Sequence, residues 1–307
     1  MREQGEGRVY LDFLKQIHAL VGARGKTMAF WGDIIIRHPE LVPELPRDAV
    51  ALEWGYEADH PFDGHGALFA KSGVPFHVCP GTSSWNSLAG RTENMRQNML
   101  SAAENGLKHG ACGFLITDWG DGGHWQPLAV SYAGFVYGAA VSWGLGRNRG
   151  LDLAAALDAQ ATGGLGQTLL DLGDVYRACG ALRGNGTELF HILAKPRSRP
   201  VLPGVTCETL RAVLAQVDLL AAALPRGQTT ILAQETAQVI RLLRAACHRG
   251  LALLDGGIDR PATRQSLARE TDELMAAHAA VWRLRNREGG LRDSLARFSR
   301  IRSEYGA

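Results

Sequence analysis

The sequence lacks the features that would attach it to a membrane or to nucleic acid. No apolar run reaches the ~18–20 residues that a membrane-spanning helix needs, and the polar N-terminus has no signal-peptide core. The 33 Lys and Arg residues are balanced by 31 Asp and Glu residues, which leaves a formal net charge of +2. Such a balance creates no strong field for phosphate. We therefore expect neither a membrane nor a nucleic-acid partner, and we interpret the late arginines as a solvated helical face.

Cysteine is scarce and has no recognisable spacing. The five cysteines include no CxxC pair and have no histidine at metal-ligand spacing. An odd number argues against a disulfide framework, and the missing pairs argue against a zinc site. We interpret all five as small buried residues of a reducing compartment. The resulting expectations are a cytoplasmic location, no metal and no cofactor.

Two common catalytic motifs are also missing. No GxGxxG segment follows a predicted strand, so a dinucleotide crevice is not indicated. No GxSxG segment surrounds Ser83 or Ser84, so we do not interpret either serine as a nucleophile.

The chain changes character near Gly150. Before this residue short apolar runs alternate with helical stretches, and after it Ala, Leu and Arg recur with helical periodicity. The second part holds one of the seven tryptophans, Trp282. We predict two domains, residues 1–149 and residues 150–307. The second should be a bundle, with helices at 153–162, 167–178, 206–224, 229–254 and 262–286.

The first part contains four predicted strands, each followed by a helix. The strands are predicted at residues 27–31, 49–54, 75–79 and 113–119. This order implies parallel strands with helical crossovers. Four such units do not close a barrel, which needs eight. We therefore predict an α/β fold, the second half of a (β/α)₈ barrel, followed by the all-α domain.

Each predicted strand has a tryptophan at or just beyond its C-terminal end. These are Trp31, Trp54, Trp85 and Trp119, and three of them precede a glycine and then an acidic residue. In barrel enzymes this face carries the active site. Aromatic rings stack on the C–H faces of a sugar, and carboxylates bind pairs of its hydroxyls. One such tryptophan is more often a packing residue, but four at equivalent positions favour a carbohydrate site.

Polar side chains beside the tryptophans complete the predicted site. The acidic ones have an alternative role as helix N-caps, for which Asp33 is the best candidate. A metal role for the loop at 118–124 is less favoured, because it offers too few oxygen ligands. His124 is a base, a hydrogen-bond donor or, by default, a structural rim residue. The predicted substrate-binding residues are Trp31, Asp33, Trp54, Tyr56, Glu57, Trp85, Asp118, Trp119, Asp121 and His124.

Four segments resemble the later strands of glycoside hydrolase family 20. They are WGDII at 31–35, WGYE at 54–57, CPGTSSWN at 79–86 and TDWGDGGH at 117–124. The likeness is closest to exo-β-N-acetylhexosaminidases with a helical C-terminal domain, and it covers about the first half of the chain. It implies removal of a terminal β-linked N-acetylglucosamine or N-acetylgalactosamine. In that mechanism the acetamido oxygen of the sugar attacks the anomeric carbon.

The resemblance also implies roles for individual residues. Trp54, Trp85 and Trp119 would line the acetamido pocket and the sugar face. Asp118 or Asp121 would hold the hydroxyls at positions 4 and 6. Tyr56 would donate to the acetamido oxygen, although the family usually places that tyrosine on the next strand.

The catalytic pair of the family is the main departure. The family carries an Asp-Glu pair in an HxGxDE setting after its fourth strand, whereas the one Asp-Glu here, Asp272-Glu273, lies in a predicted helix. We therefore expect no catalytic residue in this chain, a pair encoded upstream of Met1, and no activity of the chain alone. The expected partners are a carbohydrate and either the missing N-terminal half or a second copy.

Two alternatives remain open. One is a carbohydrate-binding remnant that performs no chemistry. The other is a (β/α)₈ glycosidase of different specificity that uses Glu57 and Asp118. A carboxylate separation of about 5–5.5 Å would then indicate a retaining enzyme, and about 6.5–9.5 Å an inverting one.

Overall fold

The computed structural model describes residues 5–224, 227 and 229–306, and its fold is mixed α/β. The strands are β1 (Ala29–Trp31), β2 (Val50–Trp54), β3 (Phe76–Cys79) and β4 (Gly113–Phe114). The helices are α1 (Glu6–Gly22), α2 (Phe62–Ser72), α3 (Thr92–Lys108), α4 (Tyr132–Asn148), α5 (Leu153–Leu157), α6 (Gly166–Leu172), α7 (Glu188–Ala194), α8 (Cys207–Ala222), α9 (Ile231–Leu254), α10 (Pro261–Arg285) and α11 (Leu291–Ser303).

The four strands form one parallel sheet in the order β1-β2-β3-β4. In its register Phe30 pairs with Ala51, and Val78 pairs with Phe114. The predicted parallel strands are therefore confirmed. Sequential order follows from the helical connections, since each crossover returns the chain beside the strand that it has just left.

The fourth strand is shorter than the predicted span of 113–119. Beyond Phe114 the ladder continues as a single bridge between Gly81 and Thr117. The backbone N–H groups of Leu115 and Thr117 still donate to the carbonyls of Val78 and Pro80. Pro80 has no N–H to donate in return, which accounts for the interrupted ladder.

Most of the predicted helices are present, with differences at their ends. The helix predicted after the third strand is α3, whose bounds Thr92–Lys108 agree with the sequence pattern, which predicts a helix from Thr92 that the glycine at 110 ends. The helix predicted at 153–162 ends as α5 at Leu157 and continues as one π-helical turn. Helices α7 and α11 were not predicted. The first is only seven residues long, and the second is rich in arginine, although its buried residues Leu291, Phe298 and Ile301 recur at helical spacing.

The chain divides into two compact units that interleave in sequence. The first comprises residues 1–81, 94–117 and 137–151, and the second comprises 82–93, 118–136 and 152–307. The sequence-based boundary at 149/150 lies close to the last of these divisions. Two earlier segments, however, fold with the helical part of the chain. They are the segments that contain Trp85 and Asp118.

Each unit has its own apolar core. In the first, alternate residues of the strands pack with α1 and α2, and the rings of Phe69 and Phe76 stack with centroids 5.8 Å apart. In the second, α7, α8 and α9 surround residues such as Leu243 and Val213, which are fully buried. Helical periodicity places these side chains on one face of each helix.

The five cysteines are all free, but they are not all buried as expected. Cys79, Cys179 and Cys247 are buried, whereas Cys112 is exposed and Cys207 is half-buried. Burial raises the pKa of each of the three buried thiols to about 12. Cys112 directly precedes β4, which is an edge strand and pairs, among the described residues, with β3 alone. The reducing compartment stays a prediction.

One helical stretch meets the length and composition of a membrane span, contrary to the expectation that none would. It runs from Leu128 to Asn148 with a mean hydropathy of 1.3, and it is 39% buried. Core helices of soluble proteins meet the same criteria. The observation therefore assigns no location.

The core of the first unit gives a direct test of the packing. Phe69 is fully buried, so Phe69→Ala should lower the free energy of unfolding by about 3–5 kcal/mol, through lost burial and a residual cavity. The matched control is Phe13→Ala on α1, whose ring is 62% exposed. It should change stability by no more than about 0.5 kcal/mol. Chemical denaturation of both variants measures the difference, and equal losses would contradict the assignment.

Candidate functional site

The ten predicted binding residues divide equally between the two units. Residues of the first unit are Trp31, Asp33, Trp54, Tyr56 and Glu57, and residues of the second are Trp85, Asp118, Trp119, Asp121 and His124.

Asp118 is the centre of the group in the second unit. Its Oδ1 accepts hydrogen bonds from the hydroxyls of Thr82 (2.5 Å), Ser84 (2.6 Å) and Ser131 (2.9 Å). These three donors are buried, whereas Asp118 itself is exposed. Within the described part of the chain, no residue donates to Oδ2. We call Asp118 and its three hydroxyl donors the Asp118 clamp.

The loops that form the clamp have unusual backbone conformations. Among the described residues, the non-glycine residues with positive φ are Ser83, Asn86, Leu88, His124 and Asn185. Three of them lie in the six-residue stretch 83–88, beside Thr82 and around Ser84; they are Ser83, Asn86 and Leu88. Such conformations cost about 1–3 kcal/mol each and persist only where the surroundings impose them. The surrounding structure therefore holds these loops in conformations that the chain would not adopt by itself.

The start of helix α7 holds the strained segment in place. Trp85 is buried and its Nε1–H donates to Oδ1 of Asn185 at 2.7 Å. The N–H of Thr187 donates to the carbonyl of Asn86, and its hydroxyl donates to the carbonyl of Ser87. Residues of the helical part of the chain therefore support the loop that carries two of the clamp hydroxyls.

Helix α11 holds the other loop of the clamp in the same way. Ser294 donates from Oγ to the carbonyl of Gly123 at 2.5 Å, and the ring of Trp125 stacks on Phe298 with centroids 3.7 Å apart. At Gly122, which has a φ of 70°, an added Cβ would lie 2.5 Å from Phe190. Glycine is therefore required there both by conformation and by space.

His124 belongs to a buried polar group below the loop. Its Nδ1 is buried without a hydrogen-bond partner among the described residues, and its ring meets Trp282 edge to face at 5.8 Å. Burial lowers the pKa of His124, although the charge of Asp118 acts in the opposite direction. These contacts agree with the structural role considered for this residue.

His278 is the second histidine of this group, and its tautomer follows from the hydrogen bonds. The hydroxyl proton of Ser294 is used for Gly123, so Nε2–H of His278 must be the donor in the 2.9 Å bond to Ser294. Burial, and then the nearby His124, lower the pKa of His278 to about 4. The imidazole is therefore neutral at pH 7.

This shift predicts a pH dependence of stability. Between the unfolded pKa of about 6.5 and the folded pKa of about 4, the unfolded chain binds more protons at this position. His278 therefore lowers the free energy of unfolding as the pH falls through that window. The variant His278→Gln retains a hydrogen-bond donor but has no titrating imidazole at this position. Its free energy of unfolding should therefore fall less as the pH is lowered. Denaturant titrations between about pH 7 and pH 4 measure it.

A histidine with the opposite shift provides the control. The hydrogen bond to Glu270 raises the pKa of His248, so this residue adds stability below its unfolded pKa that is lost as the pH rises through its folded pKa. His248→Gln should steepen the acid loss slightly, because the ring is partly exposed. If His278→Gln gives the same curve as the unmodified chain, the argument is wrong.

In the first unit, the loop after β2 carries three of the predicted residues. The rings of Trp54 and Tyr56 stack with centroids 4.9 Å apart. Helix α3 fixes the loop backbone, because Asn94 donates to the carbonyl of Tyr56 and Asn98 donates to the carbonyls of Gly55 and Glu57. Asn98 is fully buried. The loop is therefore held rigidly at the C-terminal end of its strand.

The alternative role of the acidic residues as helix caps does not hold. The short helical turn after β1 begins at Ile34 without a side-chain cap, and the turn at Asp121 begins at Gly120 without one. The N-cap position of α2 is occupied by Pro61, so Glu57 lies before the end of this helix and does not cap it. The carboxylates are thus not used as caps at these helices.

A second polar cluster lies next to this loop and was not predicted. Glu53, the penultimate residue of β2, is 1% exposed, and its Oε1 is 2.7 Å from Nε2 of His60 and 2.6 Å from Nδ1 of His65. We call these three residues the Glu53 cluster. Burial acts to raise the pKa of Glu53, but the hydrogen bonds from the two histidines outweigh it and lower that pKa. One carboxylate and two imidazoles form a set that can hold a metal ion.

The sequence signal for this cluster is weak. Glu53 lies within an apolar strand, one position before Trp54, and the two histidines follow at spacings that match no standard metal motif. The sequence signal for the cluster is an acidic residue inside a buried strand, because a buried carboxylate needs a hydrogen-bond donor or a cation beside it.

Comparisons with known proteins do not assign the chain. No protein-family model matches the sequence, and no curated protein matches it.

Proposed function

We propose that the Asp118 clamp binds the hydroxyls of a sugar, and that the chain is the later half of a (β/α)₈ glycoside hydrolase of the exo-β-N-acetylhexosaminidase type. The observation that carries the proposal is the exposed carboxylate of Asp118 with one oxygen held by three buried hydroxyls. The likeness of four segments to glycoside hydrolase family 20 supplies the reaction type.

The clamp has the properties that a sugar subsite needs. Its three donors fix Asp118 before any ligand arrives, so little side-chain entropy is lost on binding. The other carboxylate oxygen, Oδ2, has no donor among the described residues and would accept from a ligand hydroxyl. Such a charge-assisted hydrogen bond contributes more than one between neutral groups.

Trp119 supplies the apolar part of the same subsite. It follows Asp118 directly and is 39% exposed, and its carbonyl accepts from the side chain of Gln126. A sugar that places its hydroxyls on Asp118 can stack a C–H face on this ring. Trp85 is 1% exposed, so its contribution is to hold the loop through Asn185.

We also propose that the chain alone does not hydrolyse the sugar. Its one Asp-Glu pair lies on α10, where Asp272 is exposed and accepts from Nε of Arg302 at 3.0 Å. That setting has neither the burial nor the strand-end position of a catalytic pair. The acid and the group that orients the acetamido oxygen would have to come from another segment.

The test measures sugar binding and turnover separately. Ligand-observed NMR with N-acetylglucosamine should show binding to the intact chain, and Asp118→Asn should weaken it roughly tenfold or more, since a hydrogen bond to a charged group is worth about 1.5–3 kcal/mol. Trp119→Ala should weaken it as well. The purified chain should give no turnover of a chromogenic β-N-acetylglucosaminide above background.

Matched variants control for general effects. Asp218→Asn removes a carboxylate that pairs with Arg244 on the helical surface, and Trp143→Ala removes a tryptophan that is 93% exposed. Neither should alter sugar binding. Absence of sugar binding would overturn the subsite, equal binding of glucose would overturn the N-acetyl assignment, and robust turnover would overturn the proposal that the chain is inactive alone.

A further inference from the structure

The Glu53 cluster has a geometry that a network of hydrogen bonds alone does not require. Both imidazoles approach the same oxygen, Oε1, rather than one approaching each oxygen of the carboxylate. All three possible ligand atoms lie within 4.8 Å of one another. Three ligand atoms that lie this close together form a site that a metal ion can occupy.

The three residues come from three different structural contexts, and each is held. Glu53 is within β2, His60 is on the loop fixed by Asn94 and Asn98, and His65 is in the first turns of α2. At Gly55 an added Cβ would lie 2.0 Å from Nδ1 of His60, so the ring rests directly on the backbone. The cluster is therefore positioned before any ion binds.

The distances suit an ion of the size of zinc after a small adjustment. With metal–ligand bonds of about 2.0 Å, the ligand atoms of a tetrahedral site are about 3.3 Å apart. The present separations of 2.7 Å and 2.6 Å are those of hydrogen bonds, so each ring would move outward by less than about 1 Å. Each imidazole would then carry its proton on the nitrogen that faces away from the ion.

Charge and access favour the same occupant. The carboxylate of Glu53 is buried, and a cation offsets the cost of burying it. The side chains of His60 and His65 are 18% and 29% exposed, which leaves a path for the ion and a position for water. Two imidazole nitrogens and one carboxylate oxygen suit zinc, whereas calcium and magnesium prefer oxygen ligands alone.

We propose that Glu53, His60 and His65 bind a zinc ion, with a fourth position open to water. Its three ligands all belong to the first unit, whereas the residues of the Asp118 clamp all belong to the second. It also differs from the expectation, drawn from the sequence, that the chain binds no metal.

Metal titration of the intact chain tests the proposal. After treatment with a chelator, the chain should bind one Zn²⁺ in competition with a chromophoric chelator. Glu53→Gln, His60→Gln and His65→Gln should each weaken binding at least about 100-fold, since loss of an outer partner alone already costs 10–100-fold. Co²⁺ should give the visible absorption of a tetrahedral site in the unmodified chain, and Zn²⁺ should remove it.

A second carboxylate–imidazole pair in the same unit is the control. His109 lies 2.6 Å from Asp63 through Nε2, but without a second histidine. His109→Gln should leave zinc affinity unchanged. Zinc should also raise the Tm of the unmodified chain and of His109→Gln, but not that of Glu53→Gln.

Two results would overturn the proposal. One is the absence of stoichiometric zinc binding and of the cobalt spectrum in the unmodified chain, a measurement that does not depend on any variant folding. The other is zinc binding that survives both Glu53→Gln and His65→Gln. Sugar binding at Asp118 is measured without zinc, so failure of one proposal leaves the other testable.

Discussion

The hydrogen bonds from three buried hydroxyls to one oxygen of Asp118 are the constraint on which the second unit's loops depend. A hydroxyl has one proton, and Thr82 and Ser84 both direct theirs to Oδ1, at 2.5 Å and 2.6 Å. Buried hydroxyls need partners, and the carboxylate provides one acceptor for all three. The segment at 82–88 and the segment at 118–131 are thereby joined, although more than 30 residues separate Thr82 from Asp118 in sequence.

This junction explains why the second unit draws on distant parts of the sequence. The segments that carry the clamp are bonded to α7 through Thr187 and to α11 through Ser294, so they fold with the helices that follow rather than with the sheet. The left-handed residues Ser83, Asn86 and Leu88 show the cost of this arrangement. A loop selected for stability alone would place glycine at such positions, because glycine adopts positive φ without strain.

The sequence predicts local structure well where the apolar periodicity and the glycines that end a helix indicate the same boundaries. Helix α3 and the parallel order of the strands follow from apolar pattern and glycine placement alone. The position of Asp118 beside Trp119 at the end of a strand was likewise predictable from the sequence. The hydroxyl partners of Asp118, the supporting role of α7 and α11, and the pairing of Glu53 with two histidines were not. Each depends on contacts between segments that no local pattern brings together.

The two polar clusters differ in the property that decides what a carboxylate can do. Asp118 is exposed, and one of its oxygens is engaged by neutral hydroxyl donors. Glu53 is buried, and its hydrogen-bond partners among the described residues are two imidazoles, which can either donate protons or bind a metal ion. Exposure thus suits the hydroxyl recognition that we propose for Asp118, and burial suits the cation that we propose for Glu53. The same carboxylate chemistry fits different proposed ligands because the surrounding packing sets how much of each charge remains in contact with water.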